Sequence, residues 1–175
     1  MKRTPKMPKI LFPLFAALCV NFLHANNAFV EAGKAFGVDS RILWAIAYKE
    51  SRHTPHIVSK ANKNGTYDIG IMQINSSHLA WLKNYGINQK TLLENPRINI
   101  FTGAMILRKC FDTHGANQNG ITCYNGRISG NPYGKEVLQI LASAEKQHKR
   151  KTAKQRVRNY FIKEKQMPFI RVVND

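Results

Sequence analysis

Apolar residues recur at helical spacing along most of this chain and predict a mainly α protein. Turn residues such as Gly37 and Gly86 divide the pattern into five predicted helices. We expect these helices to begin at Asn26 or Asn27, Asp39 or Ser40, Ser76 or Ser77, Pro96, and after Gly134. The helix that follows Pro96 is the most apolar and is predicted to be central. A short turn is predicted around Leu92 and Leu93, and the stretch from Gly115 to Gly120 is predicted to be a loop.

The second predicted helix carries a carboxylate where its apolar stripe requires a core residue. Leu43, Ile46 and Ala47 share one face, and Glu50 follows on the same face. Burial disfavours a charged carboxylate and raises its pKa, as a general acid working near neutral pH requires. Glu50 is therefore the candidate catalytic residue. The alternative is a buried, ion-paired glutamate with a structural role.

Helical periodicity disappears between Ser51 and Asp68, where polar and turn residues predominate. Turn residues such as Asn62 and Gly65 lie between the apolar pairs Ile57-Val58 and Ile69-Ile71, so a loop or a small β-hairpin fits best. Gly70 allows the backbone to approach a neighbour closely. We expect the segment to fold back beside the helix end that carries Glu50 and to form one wall of a cleft.

The N-terminus has the pattern of a secretory signal peptide. Four cations precede an apolar run from Ile10 to Leu23, and the small residue Ala25 follows. The run is short for a membrane-spanning helix, and the alternative is a retained anchor. We expect contact with the membrane only through the uncleaved signal. We expect residues 1–25 to be removed, residues 26–146 to form one domain, and residues 147–175 to be a basic extension. That extension is either solvated and partly disordered or a continuation of the last helix.

Loss of the signal peptide removes Cys19 and leaves an even pair, Cys110 and Cys123. An exported chain reaches a compartment that permits disulfides, so we predict that this pair is bonded. Closing so short a loop stabilises a fold by about 3 kcal/mol on the chain-entropy model. The alternative is a pair of buried free thiols.

The net charge of the chain favours anionic partners but does not identify which one. Lys and Arg number 27 against 10 Asp and Glu, a net charge of +17. Such a charge favours nucleic acid, an acidic membrane surface or an acidic wall polymer. Export argues against nucleic acid, which we do not expect as a partner. His53 and His56 lie close together without a third ligand, so neither a metal site nor a cofactor is predicted.

Three separate motifs resemble those of the family 1 lytic transglycosylases, which carry the lysozyme-like soluble-transglycosylase domain. Glu50-Ser51 is similar to the family's Glu-Ser, Gly70-Ile71-Met72-Gln73 to Gly-Leu-Met-Gln, and Tyr124-Asn125 to the end of Ala-Tyr-Asn. The resemblance covers roughly residues 27–146. Cys123 replaces the usual Ala and Ile71 replaces Leu, and neither change puts activity in doubt. The resemblance implies a single lysozyme-like domain.

The resemblance also implies an activity. The family cleaves the β-1,4 bond between N-acetylmuramic acid and N-acetylglucosamine in peptidoglycan and leaves 1,6-anhydromuramyl ends. Glu50 would then act first as acid and later as base. Small exported members accompany secretion, conjugation or pilus machines, so we expect a periplasmic enzyme with such a machine as partner. The nearest alternative is a lysozyme-type hydrolase of the same bond. A second is a non-catalytic scaffold or a basic protein that binds wall or nucleic acid.

The remaining candidate residues are assigned from their chemistry together with the resemblance. Hydrolases that use two carboxylates need a second one across the scissile bond, and Asp68 is its candidate, with a structural role in the loop as the alternative. Met72 offers an apolar face to a sugar ring unless it belongs to the core, and Tyr124 offers a hydroxyl to Glu50 or to the sugar. The full predicted substrate-binding set is Ser51, Gly70, Met72, Gln73, Tyr124 and Asn125.

Overall fold

Helices make up most of the chain in the computed structural model, which describes residues 27–166. The predicted signal peptide, Cys19 and the end of the chain lie outside the described residues. The helices are α1 (27–36), α2 (Ser40–Ser51), α3 (Leu79–Leu82), α4 (Gln89–Glu94), α5 (Pro96–His114), α6 (Gln118–Tyr124) and α7 (Tyr133–Gln166). Short 3-10 turns, Ser76–His78 and Lys83–Tyr85, flank α3. The mainly α prediction is confirmed.

A two-stranded antiparallel hairpin is the sheet of the described chain. Strand β1 (Asp68–Ile69) pairs with β2 (Ile74–Asn75). A single bridge from Val58 to Ile69 draws the preceding loop onto the same hairpin. A small hairpin beside the helix of Glu50 is thus present as predicted, but its strands flank the turn from Gly70 to Gln73, and the segment before Asp68 is a loop joined to it by that one bridge.

Local signals explain where α2 begins and ends and where α5 begins. The Asp39 carboxylate accepts a hydrogen bond from the Arg41 N–H at 2.8 Å and caps α2. Helix α2 ends because Arg52 takes a left-handed conformation with φ of 53°. Asn95 caps α5 through the Ile98 N–H at 3.1 Å, and Pro96 occupies its first turn. Helix α5 is the central helix, as predicted.

Two predictions for the middle of the chain are wrong. The turn around Leu92 is a short helix, α4, and the loop predicted after Gly115 contains α6. Asn117 caps α6 by accepting from the N–H groups of Asn119 and Gly120. Gly120 suits this position because a Cβ there would lie 2.1 Å from the Gly115 carbonyl oxygen. Turn residues therefore serve here as a helix cap and a close helix contact.

The core lies between α2, α5, α6, the hairpin and the first turns of α7. Full burial of a large aliphatic side chain contributes about 1.5–3 kcal/mol. A disulfide joins Cys110 of α5 to Cys123 of α6 across a Cα–Cα distance of 5.6 Å, so the predicted bond is present. Fully buried side chains include Leu43, Ile46, Ile69, Met72, Ile74, Leu92, Ile100, Leu107, Ile121 and Val137.

Helix α7 continues through the predicted domain boundary at residue 146 without a break. Its first turns pack against α2 and α6, whereas every residue from 146 to 159 is exposed. Among residues 27–166, no helix has both the length and the apolar character needed to cross a bilayer.

Candidate active site

An open cleft of about 440 Å³ lies at the C-terminal end of α2, where Glu50 reaches it. The hairpin and the residues after it form one wall, and the end of α6 forms part of the other. The lining residues are Glu50, Asn62, Asp68, Gln73, Ile74, Asn75, Ser77, His78, Ile106, Tyr124, Asn125 and Gly126. The structure therefore brings together Glu50, Gln73, Tyr124 and Asn125 from three distant motifs. Asp68, the candidate second carboxylate, lines the same cleft.

The buried amide of Asn99 holds the turn from Gly70 to Gln73 in place. Its Oδ1 accepts from the Met72 N–H at 2.8 Å, and its Nδ2 donates to the Ile69 carbonyl at 2.8 Å and to the Leu92 carbonyl at 3.0 Å. Gly70 has φ of 74°, and a Cβ there would lie 2.2 Å from Asn99 Nδ2. The close approach predicted for Gly70 is thus an approach to Asn99. Gly70 itself is buried and does not line the cleft, so its role is to let the turn pack against Asn99.

Ser51 fastens the same turn to α2. Ser51 is 8% exposed, and its hydroxyl donates to the Ile71 carbonyl at 2.7 Å, with the Ala47 carbonyl 3.2 Å away as the weaker acceptor. It does not line the cleft. The predicted contact of Ser51 with a sugar is therefore corrected to a structural role.

Met72 belongs to the core, which was the alternative to its predicted contact with a sugar ring. Its side chain is fully buried against α5, where a Cβ on Gly103 would lie 2.8 Å from the Met72 methyl carbon. An apolar side chain next to such a small residue packs into the core instead of facing a sugar. Gln73, the next residue, does line the cleft. It has a left-handed φ of 48°, and its Nε2 donates to the Gly70 carbonyl at 2.8 Å.

Tyr124 and Asn125 lie on the wall opposite the hairpin. The Tyr124 hydroxyl donates to the Met72 carbonyl at 2.9 Å and so ties α6 to the turn. This bond replaces the predicted alternative of a bond to Glu50. Burial, followed by the nearby charges of Glu50 and Asp68, raises the pKa of Tyr124 well above its usual value. Asn125 is exposed, and its Oδ1 accepts from Asn131 Nδ2 at 3.0 Å.

The group that bonds Glu50 is Tyr133, which sequence reasoning missed. Tyr133 is 3% exposed, and its hydroxyl donates to Glu50 Oε1. Its position at the start of α7 is set by Gly134, because a Cβ there would lie 2.3 Å from the Gln118 carbonyl oxygen. The available signal in the sequence was a tyrosine at a predicted helix start, between Pro132 and Gly134, where its hydroxyl could serve the site.

Opposing effects set the pKa of Glu50. Burial is the largest and raises the pKa, while the Tyr133 hydrogen bond and the positive charge of Lys49 lower it, and the charge of Asp68 raises it. The net shift is upward. Lys49 is held in place by Glu136 at 2.5 Å, and its Nζ lies 5.1 Å from the centre of the Tyr133 ring. A raised pKa keeps a larger fraction of Glu50 protonated near neutral pH.

Asp68 faces the same cleft but is engaged by neutral side chains of its own wall. Its Oδ1 accepts from Asn75 Nδ2 at 2.7 Å, and its Oδ2 accepts from Ser59 and Asn62, both at 3.4 Å. Asn75 also caps the following turn through the Ser77 N–H. These contacts fit the structural alternative for Asp68, although they come from side chains where backbone N–H groups were expected.

His78 is a further wall residue that the sequence did not suggest. The Trp81 indole N–H, which can only donate, lies 3.2 Å from His78 Nδ1, so Nδ1 accepts and the neutral ring carries its proton on Nε2. Burial lowers the pKa of His78, the charge of Lys109 lowers it further, and the smaller opposite effect of the Asp68 charge leaves the net shift downward. His78 therefore remains a neutral N–H donor at neutral pH. In residues 27–166, no cluster of three or more His, Cys, Asp or Glu is suited to bind a metal ion.

Comparison with known proteins points to one family. The family described as "Transglycosylase SLT domain" matches residues 27–131. Invasion protein IagB of Salmonella typhimurium is 37% identical over 119 residues, which cover 66% of this chain and 74% of that protein. X polypeptide of Escherichia coli K12 is 34% identical over 62% of this chain and 66% of its own length. Protein IpgF of Shigella sonnei is 31% identical over 66% of this chain and 76% of its own length.

Proposed function

Because the chain belongs to the transglycosylase SLT family and is a peptidoglycan lytic transglycosylase, we propose a specific reaction for it. The chain cleaves the β-1,4 bond between N-acetylmuramic acid and N-acetylglucosamine and leaves 1,6-anhydromuramyl ends. The observation that supports this proposal is Glu50, half-buried in the cleft with a raised pKa and bonded by Tyr133.

The first step uses Glu50 as a general acid. Tyr133 occupies Oε1, so Oε2 is the oxygen that remains for the substrate. The proton of Glu50 passes to the glycosidic oxygen as the bond from that oxygen to muramyl C1 breaks. Glu50 then becomes a carboxylate, and the hydrogen bond from Tyr133 stabilises the negative charge at that moment. The pKa of Tyr133 is raised by burial and by the Glu50 charge, so its hydroxyl keeps its proton.

The second step uses the same residue as a base. The muramyl O6 attacks C1 and forms the anhydro ring, while the O6 proton returns to Glu50. The enzyme ends in its starting protonation state, and no water is consumed. Asp68 Oδ1 is engaged by Asn75 and its Oδ2 by Asn62, both on its own wall, so we assign stabilisation of the electron-deficient C1 to the substrate's own N-acetyl group.

Digestion of purified sacculi by the wild type and by Glu50→Gln tests this proposal. The substitution is nearly isosteric, and the Gln carbonyl oxygen still accepts from Tyr133. We expect the variant to fold like the wild type and to release soluble muropeptides about 10²–10⁴-fold more slowly. Circular dichroism serves as the folding control. Release at the wild-type rate by a folded variant would reject Glu50 as the catalyst.

The location and the biological role belong to the same proposal. The signal peptide pattern of residues 1–25 supports a periplasmic location. There the enzyme would open the wall locally for a secretion, conjugation or pilus machine. The relative IagB is named an invasion protein, which supports a link to a specialised apparatus. We expect the expressed protein to appear in the periplasmic fraction with a mass that is lower by that of about 25 residues, the predicted signal peptide. A cytoplasmic protein of unreduced mass would contradict the proposed export.

A further inference from the structure

The exposed half of α7 carries a dense and unbalanced positive charge. Between residues 146 and 159 the chain has seven cations and no carboxylate: Lys146, Lys149, Arg150, Lys151, Lys154, Arg156 and Arg158. All of these residues are exposed, and none of them takes part in an ion pair within the described chain. We call residues 146–159 the basic arm.

Four of the cations form a row along one side of the basic arm. Lys146, Arg150, Lys154 and Arg158 follow one another at i,i+4 spacing, over about 20 Å of helix. Like charges at this spacing repel one another and destabilise an isolated helix. An anionic surface that neutralises them removes this repulsion, so the row gains more from such a surface than scattered lysines do.

Two other kinds of contact do not fit the basic arm: packing of an apolar helix face against a protein partner, and pairing with a second copy of the chain. The exposed apolar residue of the arm, Val157, stands alone among polar neighbours, so there is no apolar stripe for a groove or a coiled coil. A second copy of the chain would present the same positive charge and would be repelled. Protein interfaces concentrate binding energy on buried aromatic or apolar anchors, and the described side chains of the arm supply none.

We propose that the basic arm binds a bilayer surface rich in anionic phospholipid. Such a surface attracts clustered Lys and Arg without a shaped pocket and without apolar insertion. Tyr160 and Phe161 follow the arm in sequence, and aromatic residues are common at the level of lipid headgroups. The inference is independent of the glycan reaction, because the arm lies outside the cleft lining and contributes no group to Glu50.

Vesicle cosedimentation tests the proposal directly. The full mature chain is mixed with vesicles of phosphatidylcholine alone or with phosphatidylglycerol added at one third of the lipid. We expect binding only to the anionic vesicles, and at least tenfold weaker binding when salt rises from 50 to 300 mM. Neutralising the row (Lys146→Gln, Arg150→Gln, Lys154→Gln and Arg158→Gln) is expected to weaken binding at least tenfold.

A matched control carries four substitutions on exposed lysines of the domain: Lys34→Gln, Lys63→Gln, Lys83→Gln and Lys135→Gln. It lowers the net charge equally and is expected to reduce binding by less than threefold. The row variant is also expected to melt no lower than the wild type, since it loses only repulsion. An equal loss in both variants would overturn the proposal, because net charge alone would then explain binding. A greater loss of binding to duplex DNA or to sacculi than to anionic vesicles in the row variant would also overturn it.

Discussion

The hydroxyl of Tyr133 donates a hydrogen bond to Oε1 of Glu50 across 83 residues of sequence. This bond joins the end of α2 to the start of α7 and leaves the other carboxylate oxygen for the cleft. Because the donor favours the ionised form of Glu50, it lowers the pKa that burial raises. The pair thereby combines a protonated acid before bond cleavage with a stabilised carboxylate after it.

Tyr133→Phe is expected to lower kcat by about 10–100-fold, since a hydrogen bond to a charged group contributes roughly 1.5–3 kcal/mol. The pKa of Glu50 should rise, so the alkaline limb of the kcat/KM profile should move to higher pH. Tyr124→Phe is the matched control, because its hydroxyl bonds the Met72 carbonyl instead of Glu50. An unmoved alkaline limb in Tyr133→Phe, or an equal shift in both variants, would contradict the assigned role.

Two charges near Glu50 are expected to move its pKa in opposite directions. Lys49→Met removes a cation that lowers the pKa, so the alkaline limb should move to higher pH. Asp68→Asn removes an anion that raises the pKa, so the limb should move to lower pH. A general acid loses activity as pH rises through its pKa, which fixes both directions. Shifts of the same sign in the two variants would show that the limb belongs to another group.

The raised pKa of Glu50 makes the free energy of unfolding depend on pH. Since the folded protein binds this proton more tightly than the unfolded chain does, the free energy of unfolding decreases as pH rises above the unfolded pKa of about 4.5. The penalty is complete once pH exceeds the folded pKa. Glu50→Gln should therefore be more stable than the wild type at pH 8, where the wild type has to bury a charged carboxylate. The difference should disappear near pH 4 in urea unfolding curves, and a variant that is less stable at pH 8 would contradict the burial of this charge.

Asn99 is expected to be a structural requirement of the cleft wall. Asn99→Leu leaves the Met72 N–H and two carbonyls without partners, so the free energy of unfolding should fall by about 2–4 kcal/mol. Thr102→Val on the same helix is the control, because Thr102 is equally buried but bonds only the Ile98 carbonyl of its own helix. It should cost less than about 1.5 kcal/mol. Similar losses in urea unfolding of the two variants would remove the special role of Asn99.

Sequence patterns were sufficient where local periodicity determines the result. Glu50 interrupts an apolar helical stripe, and its burial and raised pKa in the structure agree with that pattern. Patterns failed where burial depends on a distant partner. Tyr133 meets Glu50 only because α7 packs against α6 through Gly134, and Met72 is buried because Gly103 of α5 leaves room for it. Spacing along the chain does not report such contacts.

The most direct test of the central claim is digestion of sacculi in water enriched in oxygen-18, followed by mass spectrometry of the released muropeptides. If Glu50 acts as acid and then as base on the muramyl O6, the products are 1,6-anhydromuramyl ends that contain no oxygen-18. Reducing ends that carry one oxygen-18 atom would show that water attacks C1, and would contradict the account by making the protein a lysozyme-type hydrolase.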